Sequence, residues 1–162
     1  MAIIASDSGS TFTPAPEGLW LGVCCDVVDL GMVETAWGTK HKVRLVWQLE
    51  MDAGRTEDDK PLMAFARFNL TLHEHGTLRP FLESWRGRRF TAEELKRFDL
   101  EKLLNACCQL QILHVEKDGR TYANVHNIMP YPKGTEKLTV IGYTRVIDRD
   151  EQPPTEPEET EF

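Results

Sequence analysis

KHKVRLVWQLE, residues 40–50, decides the fold class of this 162-residue chain. Its side chains alternate with period two: Val43, Leu45, Trp47 and Leu49 on one side, Lys42, Arg44, Val46 and Gln48 on the other. Successive residues of a strand point to opposite faces, so one face is expected in a core and the other in solvent. The solvent face opens with a ladder of cations, Lys40, Lys42 and Arg44. Cations on a rigid sheet face suggest a polyanionic partner, although solvated strands carry Lys and Arg in proteins with no such ligand.

Upstream, GLWLGVCCDVVDL (18–30) predicts a first strand with Leu19, Leu21, Val23, Cys25 and Val27 on one face. Gly22 inside it marks an expected bulge or sharp bend. GMVETAWGT (31–39) reads as a loop carrying an isolated Trp37. Downstream, the acidic loop 52–60 leads to LMAFARFNLTL (62–72), a third strand. Leu62, Ala64, Ala66, Phe68 and Leu70 share one face, and Phe68 and Leu70 read as core. Phe65 and Arg67, on the other face, then fall beside Lys42 and Arg44.

A helical insertion follows. Thr77 is placed to cap a helix with the stripe Leu78, Phe81, Leu82 and Trp85, and Pro80 is tolerable in its first turn. Gly87 ends it within Arg86-Gly87-Arg88-Arg89. Thr91-Ala92-Glu93-Glu94 is a capping box for a second helix, and Asp99 caps a short third one. CQLQILHV (108–115) and TYANVHNIMPYP (121–132) are the fourth and fifth strands, joined through Asp118-Gly119, a tight-hairpin signal. LTVIGYTRVI (138–147) is apolar enough to require a docking surface.

Charge divides the chain. Residues 148–162 hold seven acids and one base, so nearly all of the net charge of −7 sits there. Residues 1–17 read as a flexible arm, 18–147 as one folded domain, and 148–162 as a disordered acidic tail. No apolar run approaches the ~20 residues of a membrane span and no signal peptide is recognisable, so a cytoplasmic protein without a membrane partner is expected. The cysteines form two adjacent pairs, Cys24-Cys25 and Cys107-Cys108. That spacing suits reduced core thiols better than a zinc site.

Catalytic chemistry finds little support. His73-Glu74-His75 lacks a third ligand in obvious reach, and Asp26, Asp29 and Glu34 lack the lysine that a nuclease metal site employs. No phosphate-binding glycine loop is present. The expectation is a non-enzyme with no cofactor, no metal and no small-molecule substrate.

Three strands, a helical insertion and a two-stranded hairpin is the order of the OB-fold, a five-stranded Greek-key barrel. Its first and fourth strands are neighbours, which brings the two cysteine pairs together. Within that order, SWRGRRFTAEEL (84–95), FDLEKLLNACC (98–108) and TYANVHNIMPYPKG (121–134) resemble segments of small bacteriophage replication proteins of the single-stranded-DNA-binding type. The ending Glu159-Thr160-Glu161-Phe162 is similar to the acidic, Phe-terminated tips of bacterial and phage single-stranded-DNA-binding proteins, though it lacks their run of consecutive Asp.

The resemblance implies sequence-independent binding of single-stranded DNA in phage replication or recombination. Its tail, through Glu158, Glu159, Glu161 and Phe162, is then expected to recruit a replication or recombination protein. Such binding needs cations for phosphate and aromatic faces for bases. The candidates are Lys40, Lys42, Arg44 and Arg67 for phosphate, with Trp37, Phe65, Tyr122 and Tyr131 for bases. Arg86, Arg88 and Arg89 lean toward a structural role at the helix end, and Trp20, Trp47 and Trp85 toward the core. An RNA-binding OB module and a protein-binding adaptor stay open as alternatives.

Overall fold

Strand β1 runs from Gly18 to Thr35 and serves two partners. Its first six residues pair with β4 (Cys107–Lys117), and from Gly22 onward it pairs with β2 (Gly38–Leu49). In this computed structural model, which describes residues 14–149, β3 (Met63–Asn69) and β5 (Arg120–Pro130) complete one antiparallel sheet in the order β3-β2-β1-β4-β5. Two helices, α1 (Leu78–Arg86) and α2 (Ala92–Lys96), stand between β3 and β4. The edge strands β3 and β5 come within 8 Å Cα–Cα without becoming hydrogen-bonded neighbours. The sheet is barrel-like and open at that seam. The expected strand–helix order is met, and the expected closure is not.

The inner face follows the alternation of residues 40–50. Val43, Leu45, Trp47 and Leu49 are all buried in one cluster with Leu62, Ala64 and Phe68. Helix α1 closes this core with Leu78, Leu82 and Trp85. The Trp47 ring lies 5.9 Å from Phe81 and 5.8 Å from Trp85, centroid to centroid. Aromatic contacts at these separations add about 0.5–1.5 kcal/mol each beyond the burial of their area. Gly87, at φ 76°, ends α1 in the left-handed region as expected, its N–H donating to the Glu83 carbonyl. Thr77 precedes α1 but makes no side-chain capping bond.

At α2 the capping box is complete. The Glu94 N–H donates to Thr91 Oγ1 at 3.1 Å and the Thr91 N–H to Glu94 Oε1 at 2.9 Å. Thr91→Ala is expected to lower stability by about 1 kcal/mol, measured as a fall in the urea midpoint at unchanged slope. Asp99 caps the 3-10 turn Leu100–Leu103 by accepting from the Glu101 N–H.

Several expectations along β1 need correction. The register jumps between Cys24 and Asp26 and again between Asp29 and Gly31, so the bulges fall at Cys25 and Leu30, not at Gly22. A bulge inserts one residue and reverses the alternation beyond it. Cys24 and Val27 therefore face the main core, whereas Cys25 and Val28 face a second cluster on the opposite side. At the start of the strand Trp20 packs on the core and Leu19 is exposed. Residues 31–39 are not a loop: β1 and β2 continue as a hairpin to Thr35↔Gly38, leaving only Ala36 and Trp37 as the turn. Leu70, expected in the core, is exposed just beyond the end of β3.

The first and fourth strands do bring the cysteines together, with Gly22 opposite Cys108 and Val23 opposite Cys107. All four thiols are free and buried. Burial pushes Cys24 and Cys25 up to about 12 and Cys108 well above its ordinary value, so these remain thiols without nucleophilic character.

The apolar segment 138–147 docks on the outward face of β1 and β2. Val140, Tyr143 and Val146 pack on Cys25, Val28 and Val46. The Gln48 side chain donates to the Ile141 carbonyl and accepts from its N–H, both at 2.8 Å. Val46 and Gln48, assigned to solvent by the alternation alone, are thereby buried. Residues 14–17, expected as the end of a flexible arm, lie against β4: Ala15 is buried, and the His114 N–H donates to Glu17 Oε2. Residues 1–13 and 150–162, including Glu158, Glu159, Glu161 and Phe162, lie outside the described residues. Among the described residues no helix is long and apolar enough to cross a membrane.

Candidate nucleic-acid interface

Segment 138–147 covers the outward face only as far as Val46 and leaves the cationic half of β2 open. There the β2–β3 register sets Lys42 opposite Asn69, Arg44 opposite Arg67 and Val46 opposite Phe65. The expected neighbourhood of Lys42, Arg44, Phe65 and Arg67 is therefore present. The Arg44 guanidinium stands 5.6 Å from the centroid of the Phe65 ring. Arginine and a flat ring together form a surface on which a base can stack.

Two arginines directly opposite each other on neighbouring strands repel, at a cost of about 0.2–1 kcal/mol. Among the described residues neither Arg44, Arg67, Lys40 nor Lys42 forms an ion pair. The Arg44 Nε is buried without an acceptor. Two arginines with structural tasks, Arg86 and Arg145, are each accompanied by a carboxylate. Arg86 pairs with Glu94, its Nη2 2.8 Å from Oε2. Arg145 pairs with Asp26 and Glu101. Among the described residues the cations of β2 and β3 lack this neutralisation.

Beside β3 the open seam forms a groove of about 800 Å³ whose rim carries Arg44, Phe65, Arg67, Thr121, Tyr122 and Asn124. Tyr122, opposite Val115 on β5, is exposed. Four expected site residues thus converge, with Lys42 next along β2. Thr121 and Asn124 were missed by sequence reasoning. They join the site only because β5 meets β3 across the seam, a contact that no local pattern encodes.

Trp37 and Lys40 occupy the far end of the β1–β2 hairpin. Trp37 stands at its tip, 85% exposed. It lies roughly 23 Å from Arg44 along the ribbon at about 3.3 Å per residue, so no small ligand touches both. The ribbon's carboxylates are engaged locally. Asp29 Oδ1 sits 2.6 Å from His41 Nε2, a contact that holds Asp29 below its usual range. Glu34 accepts from Thr39 Oγ1 at 3.2 Å.

Tyr131 is not brought to this site. It follows the opposite end of β5, and its hydroxyl donates to the Glu136 carbonyl at 2.6 Å. Arg86 is structural, lying 4.6 Å from the Phe90 centroid and holding Glu94 down at about 2, with help from the Thr91 N–H. Arg88 and Arg89 are exposed on the insertion. Asp26 is buried beneath Tyr143 and Arg145. Among the described residues no group of three His, Cys, Asp or Glu could hold a metal ion.

What these observations define is a barrel-like β protein with a cationic and aromatic face whose cations pair with no carboxylate among the described residues. No protein-family model and no curated protein matches the sequence.

Proposed function

We propose that the chain is an OB-fold protein that binds single-stranded DNA without sequence preference, in bacteriophage replication or recombination. The fold reading is supported by the strand order, by β1 serving both β2 and β4, by helices between β3 and β4, and by the approach of β3 to β5. The functional reading is carried by one observation above all: Arg44 and Arg67 are held opposite each other with no carboxylate partner among the described residues, beside Phe65 and Tyr122. Phosphates neutralise the arginines, and exposed bases stack on the aromatic rings. Duplex DNA hides the faces of its bases and leaves the aromatic half of the site unused. The acidic segment bearing Glu158, Glu159, Glu161 and Phe162 is proposed to recruit a replication or recombination partner.

The test is a titration of length-matched single-stranded DNA, duplex DNA and RNA at two salt concentrations. Single-stranded DNA is expected to bind tightest, with a log–log salt slope near −2 to −3 for three or four phosphates. Equal affinity for duplex overturns the proposal, and tighter binding of RNA replaces it with the RNA-binding reading.

Trp37→Ala separates stacking from charge. Among the described residues Trp37 packs on no core, so stability is expected to change by less than about 0.5 kcal/mol. Affinity for single strands should fall by about 5- to 100-fold, the worth of one stacked base, at an unchanged salt slope. Fluorescence titration of the variant and the parent provides both readings.

A further inference from the structure

We infer that the seam between β3 and β5 is a pocket for one unstacked base of the bound strand, an inference that rests on the single-strand reading above. Neighbouring strands in a sheet are spaced about 4.8 Å apart, and a third strand inserted between β3 and β5 needs about twice that. At their closest these strands are unpaired yet within 8 Å Cα–Cα. At that approach the two strands form no ladder, and no further peptide strand fits between them.

The floor of the gap explains its depth. Even-numbered residues of β3 and, ahead of the bulge at His126, odd-numbered residues of β5 point inward, and at the seam these include Ala64, Ala66 and Ala123. Inward positions of a small barrel are ordinarily filled by side chains. Three methyl groups in their place leave the cavity of about 800 Å³, floored by Phe68, Phe81 and Val125. That size falls within the roughly 300–1,000 Å³ of pockets that hold small organic ligands.

The rim selects the ligand. Phe65 and Tyr122 face the seam from its two sides, with Arg44 and Arg67 beside them and Thr121 and Asn124 at the β5 edge. An apolar floor, two aromatic walls and a cationic lip suit a flat ring with a polar edge that is joined to a phosphate. A nucleotide has that anatomy. Edge strands also turn unpaired backbone N–H and C=O groups toward the gap. Donors and acceptors in alternation accept the edge of any base, as binding without sequence preference requires.

The experiment compares oligothymidine with a length-matched abasic strand, using the full chain and the variants Ala123→Leu and Ala66→Leu. The abasic strand keeps the phosphates and removes the bases. Leucine at either position fills space that the described residues leave open, from opposite walls, so the melting temperature is expected to hold or rise. Affinity for oligothymidine should fall by about 5- to 100-fold, one base's worth, while affinity for the abasic strand stays that of the parent. Parent-like oligothymidine binding by both filled variants, or an equal loss for both strands, overturns the pocket. If the parent binds neither strand, the single-strand reading itself fails.

Discussion

Replacing Arg44 and Arg67 together by glutamine is expected to weaken single-strand binding by at least about 100-fold while leaving the fold intact. Each charge-assisted contact to a phosphate contributes about 1.5–3 kcal/mol, so losing two removes about 3–6 kcal/mol. The salt slope should become shallower by about 1.4, since each phosphate released from a single strand accounts for about 0.7. Stability should move the other way. The two arginines are cross-strand partners with no ion pair among the described residues, and relieving their repulsion is worth about 0.2–1 kcal/mol. A variant that binds less and melts no lower distinguishes a binding face from a structural one. Loss of stability in step with loss of binding contradicts this account.

Asp26→Ala is expected to cost about 3–5 kcal/mol, the penalty for breaking a buried ion pair by removing one partner. Asp26 is 1% exposed. Its carboxylate accepts from the Tyr143 hydroxyl at 2.7 Å, from Arg145 Nε at 3.0 Å, and from the N–H groups of Val146 and Val27. This is the clamp that fastens segment 138–147 over Cys25, Val28 and Val46 and so sets the limit of the open cationic face. Burial alone pushes the Asp26 carboxyl up. The bonds from Val146, Tyr143 and Arg145 outweigh it and hold the group below its ordinary value. A carboxyl lowered in the folded state stabilises fully above its unfolded pKa of about 3.9 and loses that contribution as pH falls through the folded value. The gap between parent and Asp26→Ala should therefore be widest at neutral pH and shrink below about pH 4. Thermal melts across that range measure it, and a gap constant from pH 7 to pH 2 contradicts the clamp.

The β2 strand shows how far a sequence can carry such a reading. Period two placed Val43, Leu45, Trp47 and Leu49 inward and predicted Phe65 and Arg67 beside Arg44, because alternation and antiparallel pairing are local rules. The same rule failed on β1, where bulges at Cys25 and Leu30 reset the alternation twice, the first with no glycine to announce it and the second beside Gly31 at φ 74°. It failed again at Val46 and Gln48, which are covered by residues over 90 positions away. Asp26 was weighed with Asp29 and Glu34 only as a metal site, because its partners, Tyr143 and Arg145, sit in a segment whose docking place carried no local signal. At the candidate site the same division holds. Lys42, Arg44, Phe65 and Arg67 were legible as one cluster, Tyr122 joined them only across the seam, and Tyr131 sits away from them because β5 separates the two tyrosines.

The most direct test is chemical-shift mapping of the full chain as an oligothymidine is added. The account predicts that the largest changes fall on Lys42, Arg44, Phe65, Arg67 and Tyr122, with a second group at Trp37 and Lys40. Arg86 and Tyr131 should stay still. Changes centred on the helical insertion around Arg88 and Arg89, with the β2–β3 face unmoved, would contradict it.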